Sequence, residues 1–284
     1  MGLPANVLKI MILSGAVIFP SSHTVHSESN NTTALLDTYS SSIDSLIEQL
    51  RKKGYETENL FSHPKFKIYY NINSYFINSA ESKGKSAYNI ALKKGDPKEA
   101  ERVFNEEYEK YKVRVGFDKK KNAIALFMQE YSEYLSLSEK KYDIPKEVIA
   151  AVIGIESEFG KYTGTHYAFN IYVSMYIKNY RKDFAFLQLE ELLKFSERTK
   201  IDVYELNSSY AGAIGFMQFL PYSLNRWFVG NNVNDMIDNI SSVANYLSHF
   251  MKEKGTLEEA IYSYNPSKFY VKTVSELANY GKIQ

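Results

Sequence analysis

Ile144-Pro145-Lys146-Glu147-Val148-Ile149-Ala150-Ala151-Val152-Ile153-Gly154-Ile155-Glu156-Ser157-Glu158-Phe159-Gly160 sets a single acid where a helix should be apolar. Pro145 suits the first turn of a helix, where a missing N–H costs nothing, and Gly160 is placed to end it. On a helix the neighbours of residue 156 lie three and four positions away. These are Val152, Ile153, Phe159 and Gly160, with Ile149 a further turn back, so Glu156 points where the apolar stripe points. Glu158 points elsewhere and is expected in solvent. An apolar surround raises a carboxyl pKa and keeps a proton available near neutral pH, which is what a general acid needs. On spacing alone the pattern fits equally well a glutamate paired with a buried Arg or Lys, or one at a helix end exposed by a cleft.

Two later segments bear on that choice. Ser209-Tyr210-Ala211-Gly212-Ala213-Ile214-Gly215-Phe216-Met217-Gln218-Phe219-Leu220-Pro221 combines small residues, which permit close approach or positive φ, with an amide set among apolar groups. Such a turn suits recognition of N-acetyl and hydroxyl groups, though alone it reads as a tight helix crossing with a core amide. Tyr264 and Asn265 precede Pro266, where the chain is biased away from helix. An aromatic and an amide at a helix end can line a sugar subsite; alone they read as a plain helix stop.

The rest of the chain reads as mainly α. Helical spacing runs from Leu35 to Lys53 with Gly54 as a stop, from Pro97 to Val113, and as one helix from Asn122 to Tyr142. Further helices are expected at about Asp183 to Ser196, Ile237 to Lys252, Leu257 to Tyr262 and Ser267 to Asn279. Strand signals are weak, limited to short runs such as Phe66 to Tyr70. Residues 1–27 read as an export signal: Lys9, an apolar run from Ile10 to Phe19, then Pro20 and a Ser-rich stretch. That run is too short to span a bilayer, and an uncleaved anchor is the alternative. Residues 28–57 are expected to form a linker and N-terminal helix, and 58–284 one mainly helical domain.

Composition narrows the chemistry. With no cysteine, disulfides, thiolate catalysis, cysteine-ligated zinc and a lipoprotein anchor are excluded. Five scattered His with no HExxH pattern argue against a catalytic metal. A net charge of +1 gives no field that would favour nucleic acid. The 24 Tyr against 1 Trp suit sugar binding, although core packing accounts for most of them.

Taken in order, four segments resemble the lytic murein transglycosylase B family. They are Gly154 to Gly160, Ser209 to Pro221, Ser242-Val243-Ala244-Asn245-Tyr246, and Ser263 to Tyr270, with a lead-in at Leu60 to Phe66 and Arg114 to Phe117. The resemblance covers roughly residues 58–280. It implies a lysozyme-like, SLT-type helical domain with an N-terminal helical extension, and a single acid/base at Glu156. The substrate-lining positions it implies are Ser209, Gln218, Tyr246, Tyr264, Asn265 and Tyr270, with a basic pair at Arg181 and Lys182. Family members often carry an EF-hand-like loop before the Ala-Asn-Tyr helix. Here that region is shortened to Val229 to Met236, with Asp235 and Asp238 the nearest acids, so no metal and no cofactor are expected.

The activity so implied is cleavage of the β-1,4 bond between N-acetylmuramic acid and N-acetylglucosamine, leaving 1,6-anhydromuramoyl ends. The implied partners are peptidoglycan glycan strands, with cell-wall synthesis or division proteins beyond them and no nucleic acid. The protein is expected to be a monomer, periplasmic or secreted. A muramidase hydrolysing the same bond needs a second carboxylate about 5–9 Å away, which a sequence cannot place. A non-catalytic glycan-binding envelope protein is the other alternative.

Overall fold

The computed structural model describes residues 32–77 and 80–282, so the segment read as an export signal lies outside the described residues. Val148 to Ser157 carries no charge except Glu156, and every residue of that run is buried. A helix apolar all round belongs in the interior, and this one, Lys146–Ser157, is the central post of the fold. The stripe expected from the sequence is therefore too narrow a description. Ala150, Ala151 and Gly154 occupy the remaining faces, where small side chains let neighbours approach closely.

Fourteen helices are formed among the described residues. They are α1 (Thr32–Lys52), α2 (Glu58–Phe61), α3 (Ile72–Ile77), α4 (Ala80–Lys93), α5 (Pro97–Arg114), α6 (Phe117–Glu130), α7 (Ser132–Tyr142), the post α8 (Lys146–Ser157), α9 (Ala168–Ile177), α10 (Lys182–Thr199), α11 (Pro221–Trp227), α12 (Met236–Lys254), α13 (Leu257–Tyr264) and α14 (Lys268–Lys282). Around α8 pack α6, α7, α12 and α14. The expected helix from Asn122 to Tyr142 is broken at Tyr131 (φ −106°, ψ 23°). Its first half serves α14 and α8, while its second half packs on α12, and one straight rod could not face both.

The run Phe66 to Tyr70 is not a strand. The Tyr69 N–H is taken by the Ser174 hydroxyl at 2.8 Å, which leaves no ladder to form. Two short strands that periodicity could not announce, β1 (His166–Tyr167) and β2 (Asn207–Ser208), pair antiparallel instead. Helix α9, also unannounced, is buried along its whole length, so it has no polar face to mark its period. The N-terminal helix α1 docks on α9: Gln49 Nε2 donates to the Tyr176 hydroxyl at 2.5 Å, and Lys178 Nζ donates to the Tyr39 hydroxyl.

Helix α11 is held to α10 by Glu191, which is 5% exposed. Its carboxylate accepts from Arg226 and Asn225, each at 2.9 Å. Burial pushes that carboxyl up, but the Arg226 and Asn225 hydrogen bonds outweigh it and hold the group below the usual range. A depressed carboxyl contributes stability above the ordinary glutamate value, and that stability is lost as pH falls through the folded value. Arg226→Met should therefore destabilise the fold by about 2 kcal/mol at pH 7, less than a fully buried pair because the guanidinium is partly exposed. Urea titration at pH 7 and pH 3 checks this, since the difference from wild type should shrink at the lower pH.

Candidate active site

The motif around Glu156 is explained by how α8 ends. After Ser157 the chain leaves the helix through three consecutive left-handed residues, Glu158 (φ 51°), Phe159 (φ 59°) and Gly160 (φ 86°). For non-glycine residues this conformation costs of order 1–3 kcal/mol each and persists only when the surroundings enforce it. Here they do. The Ser157 hydroxyl donates to the Ile153 carbonyl and accepts the Gly160 N–H. The turn swings the Phe159 ring back over Gly154, where a Cβ would lie 2.6 Å from the ring, and Phe127 backs the same ring at 5.0 Å. Glu158 is thus half-buried in the cap rather than on a solvated helix face.

Glu156 itself is 2% exposed. Its Oε1 accepts a 2.7 Å hydrogen bond from the Tyr270 hydroxyl on α14. Burial, followed by the negative charge of Glu156, pushes the Tyr270 phenol well above its ordinary value, so it stays a donor. Tyr264 stacks on Tyr270 with centroids 6.3 Å apart and planes 10° from parallel, and its hydroxyl donates to the Met217 carbonyl at 2.5 Å. That bond ties the Tyr-Asn segment to the glycine-rich loop, and Met217 is followed by Gln218. Asn265, 1% exposed, caps α13. The acid, the loop and the Tyr-Asn pair therefore meet at one place.

The loop shows why its residues are small. Gly212 (φ 80°) sits against Tyr172, whose ring atoms a Cβ would meet at 2.4 Å and whose hydroxyl donates to the Gly212 carbonyl. Ser209 closes the turn: its Oγ accepts the Ala213 N–H. Gln218, itself left-handed (φ 51°), donates its amide Nε2 to the Gly215 carbonyl at 2.8 Å. One of the two amide hydrogens is thus committed to the loop. Tyr246 is placed differently from the rest. It is 3% exposed, its hydroxyl donates to the Ser263 carbonyl, and it packs between Trp227, Phe250 and Tyr264, so it braces Tyr264 from behind.

The basic pair divides. Arg181 starts α10 with its guanidinium 4.3 Å from the Phe184 ring and within electrostatic reach of Tyr172, which places it on the loop side. Lys182 turns to the Tyr176 ring at 4.5 Å, the ring that α1 contacts. In the shortened loop before α12, Asp235 accepts the N–H groups of Ile237 and Asp238, and Asp238 accepts those of Asn231 and Asn232. Each carboxylate gives one oxygen to backbone N–H groups, and two carboxylates fall well short of the six to eight oxygen ligands that calcium takes. The residues present do not fit that ion. A cavity of about 550 Å³ near the start of α8, lined among others by Leu126, Lys146, Glu147 and Lys282, shares no residue with the site.

Residues 70–257 match the family model described as the transglycosylase SLT domain, about two thirds of the 284 residues. The chain belongs to that family. It is 31% identical over 129 residues to membrane-bound lytic murein transglycosylase B of Escherichia coli (strain K12), a match covering 43% of this chain and 36% of the relative. The chain thus aligns with only about a third of that relative's length. The fold is shared with the soluble lytic transglycosylase SltB1 of Pseudomonas aeruginosa, at 19% identity, TM-score 0.65, and coverage of 88% and 98% of the two chains. It is shared too with SltB3 of the same organism, solved in complex with NAG-anhNAM-pentapeptide, at 15% identity, TM-score 0.65, and coverage of 86% and 79%.

A fold-level test of the family motif follows from Gly154. Gly154→Ala gains about 1 kcal/mol of helix propensity but forces the Phe159 ring off its seat, at about 1–3 kcal/mol of overpacking. A net loss of a few degrees in Tm is expected by calorimetry. A variant more stable than wild type would show that the ring is not held.

Proposed function

We propose that the protein is a peptidoglycan lytic transglycosylase in which Glu156 alone serves as acid and then base. The observation that carries this reading is the buried Glu156 carboxyl bonded to Tyr270 beside the loop and the Tyr-Asn pair. Among the described residues, Glu156 is the carboxylate that Tyr270 hydrogen-bonds, and its charge also reaches Tyr264. A hydrolysing muramidase wants a partner carboxylate across the bond; a transglycosylase of this kind needs none.

The proton moves twice. Glu156 protonates the glycosidic oxygen between N-acetylmuramic acid and N-acetylglucosamine, and the C1–O bond breaks with its electron pair leaving on that oxygen. The muramoyl C6 hydroxyl then adds to C1, and its proton returns to Glu156. The product is a 1,6-anhydromuramoyl end, and no water is consumed. Tyr270 orients the carboxyl, while Ser209, Gln218, Tyr264 and Asn265 shape the glycan cleft, with Tyr246 acting through Tyr264. Arg181 is suited to carboxylates of the stem peptide; Lys182, turned to Tyr176, is a weaker candidate for contact. Such positioning is worth several kcal/mol of barrier. The substrate class is supported by the fold neighbour bound to NAG-anhNAM-pentapeptide. An exported, envelope location follows from the substrate and from the signal-like run at Ile10 to Phe19.

Digestion of purified murein, followed by mass spectrometry, tests the reaction. Products should be lighter by one water than the corresponding reducing ends. Glu156→Gln should lower muropeptide release by at least about 10³-fold while murein pull-down is retained. Reducing-end products, or full activity in Glu156→Gln, would sink the assignment.

A further inference from the structure

Lys119, Lys120 and Lys121 form a triplet on α6 that looks like a solvated face, yet the middle lysine is 6% exposed. Lysine is rarely buried to that degree without a charge to answer it. Lys120 shares its helix face with Ile124 and Phe127, four and seven residues on, both buried. This face looks onto α8, because the Phe127 ring meets Phe159 of the turn that follows Glu156. Burial pushes the Lys120 ammonium below the ordinary lysine value, and the carboxylates of Glu158 and Glu156 push it back up. Lys119 and Lys161 are the like charges in its reach.

We propose that Lys120 is a positioning residue for Glu156: a fixed buried cation across the α6–α8 interface that stabilises the carboxylate formed when Glu156 releases its proton. The use made of that proton rests on the transglycosylase reading; the coupling between the two groups does not. Tyr270 from α14 hydrogen-bonds Glu156 and Tyr264 from α13 stacks behind it. Lys120, on the α6 face toward α8, lies within electrostatic reach of Glu158 first and Glu156 next, with Lys161 on the turn beyond. Burial opposes ionisation of Glu156. The Tyr270 hydroxyl and the Lys120 charge favour it. An acid held only by burial would keep its proton too tightly to pass it on near neutral pH, so the cation brings donor strength and proton return into balance.

The test is a ¹³C-carboxyl NMR titration of the full chain, with Lys120→Met as an apolar substitute of similar length and Lys120→Arg as the charge-retaining control. In Lys120→Met the Glu156 midpoint should rise by about one pH unit, and the alkaline limb of murein digestion should move the same way. Lys120→Arg should stay near wild type. An unmoved midpoint in a folded Lys120→Met protein overturns the proposal. Should that variant fail to fold, the coupling is read from the other side, because it is reciprocal. In Glu156→Gln, with ¹³Cε-labelled lysine, Lys120 should titrate lower than in wild type, and no change there overturns the proposal equally. A moved midpoint in a protein that releases no anhydro-muropeptides supports Lys120 and sinks the transglycosylase reading instead.

Discussion

A carboxyl group inside a helix that is buried on every side is the constraint around which this protein is arranged. Isolated charge in such a place is costly, and the fold brings a phenol hydroxyl to the carboxyl at 2.7 Å. That answer has to be brought from α14, 114 residues along the chain. Tyr270 in turn leans on Tyr264, Tyr264 is tied to Met217, and Met217 N–H is held by Asn239 of α12. Removing any one link loosens the seat of the acid.

The same constraint accounts for the glycines and serines of the motifs. Gly154 makes room for Phe159, Ser157 pins the left-handed turn, and Gly212 admits Tyr172. None of these side chains does chemistry. They fix where the chain must go so that Glu156 and the loop are joined through Tyr270 and Tyr264. A motif that resembles a catalytic signature is, residue by residue, mostly a packing specification around one buried acid.

Much of this was readable from the residues. Glu156, the loop, the Tyr-Asn pair and most helices follow from spacing and resemblance, and the helix ends agree to within a few residues. What escaped has physical reasons. Helix α9 has no polar face, so its period is invisible. The break at Tyr131 depends on which neighbours each half meets. Lys120 sits between two other lysines, and only tertiary packing singles it out. Tyr246 looked like a cleft residue because the motif contains it, whereas its hydroxyl is consumed inside the fold.

The run of three left-handed residues after α8 also limits how the protein can be made hardier. Proline, or a substitution that replaces glycine with a bulkier residue, is the usual route to a stiffer loop, but it requires φ near −65° or at least negative. Glu158, Phe159 and Gly160 have φ from 51° to 86°, so none can take proline and Gly160 cannot take a side chain without strain. Gains in robustness must come from ground remote from the acid, such as Val113, four-fifths exposed on α5, where a polar exchange disturbs nothing that the reaction uses.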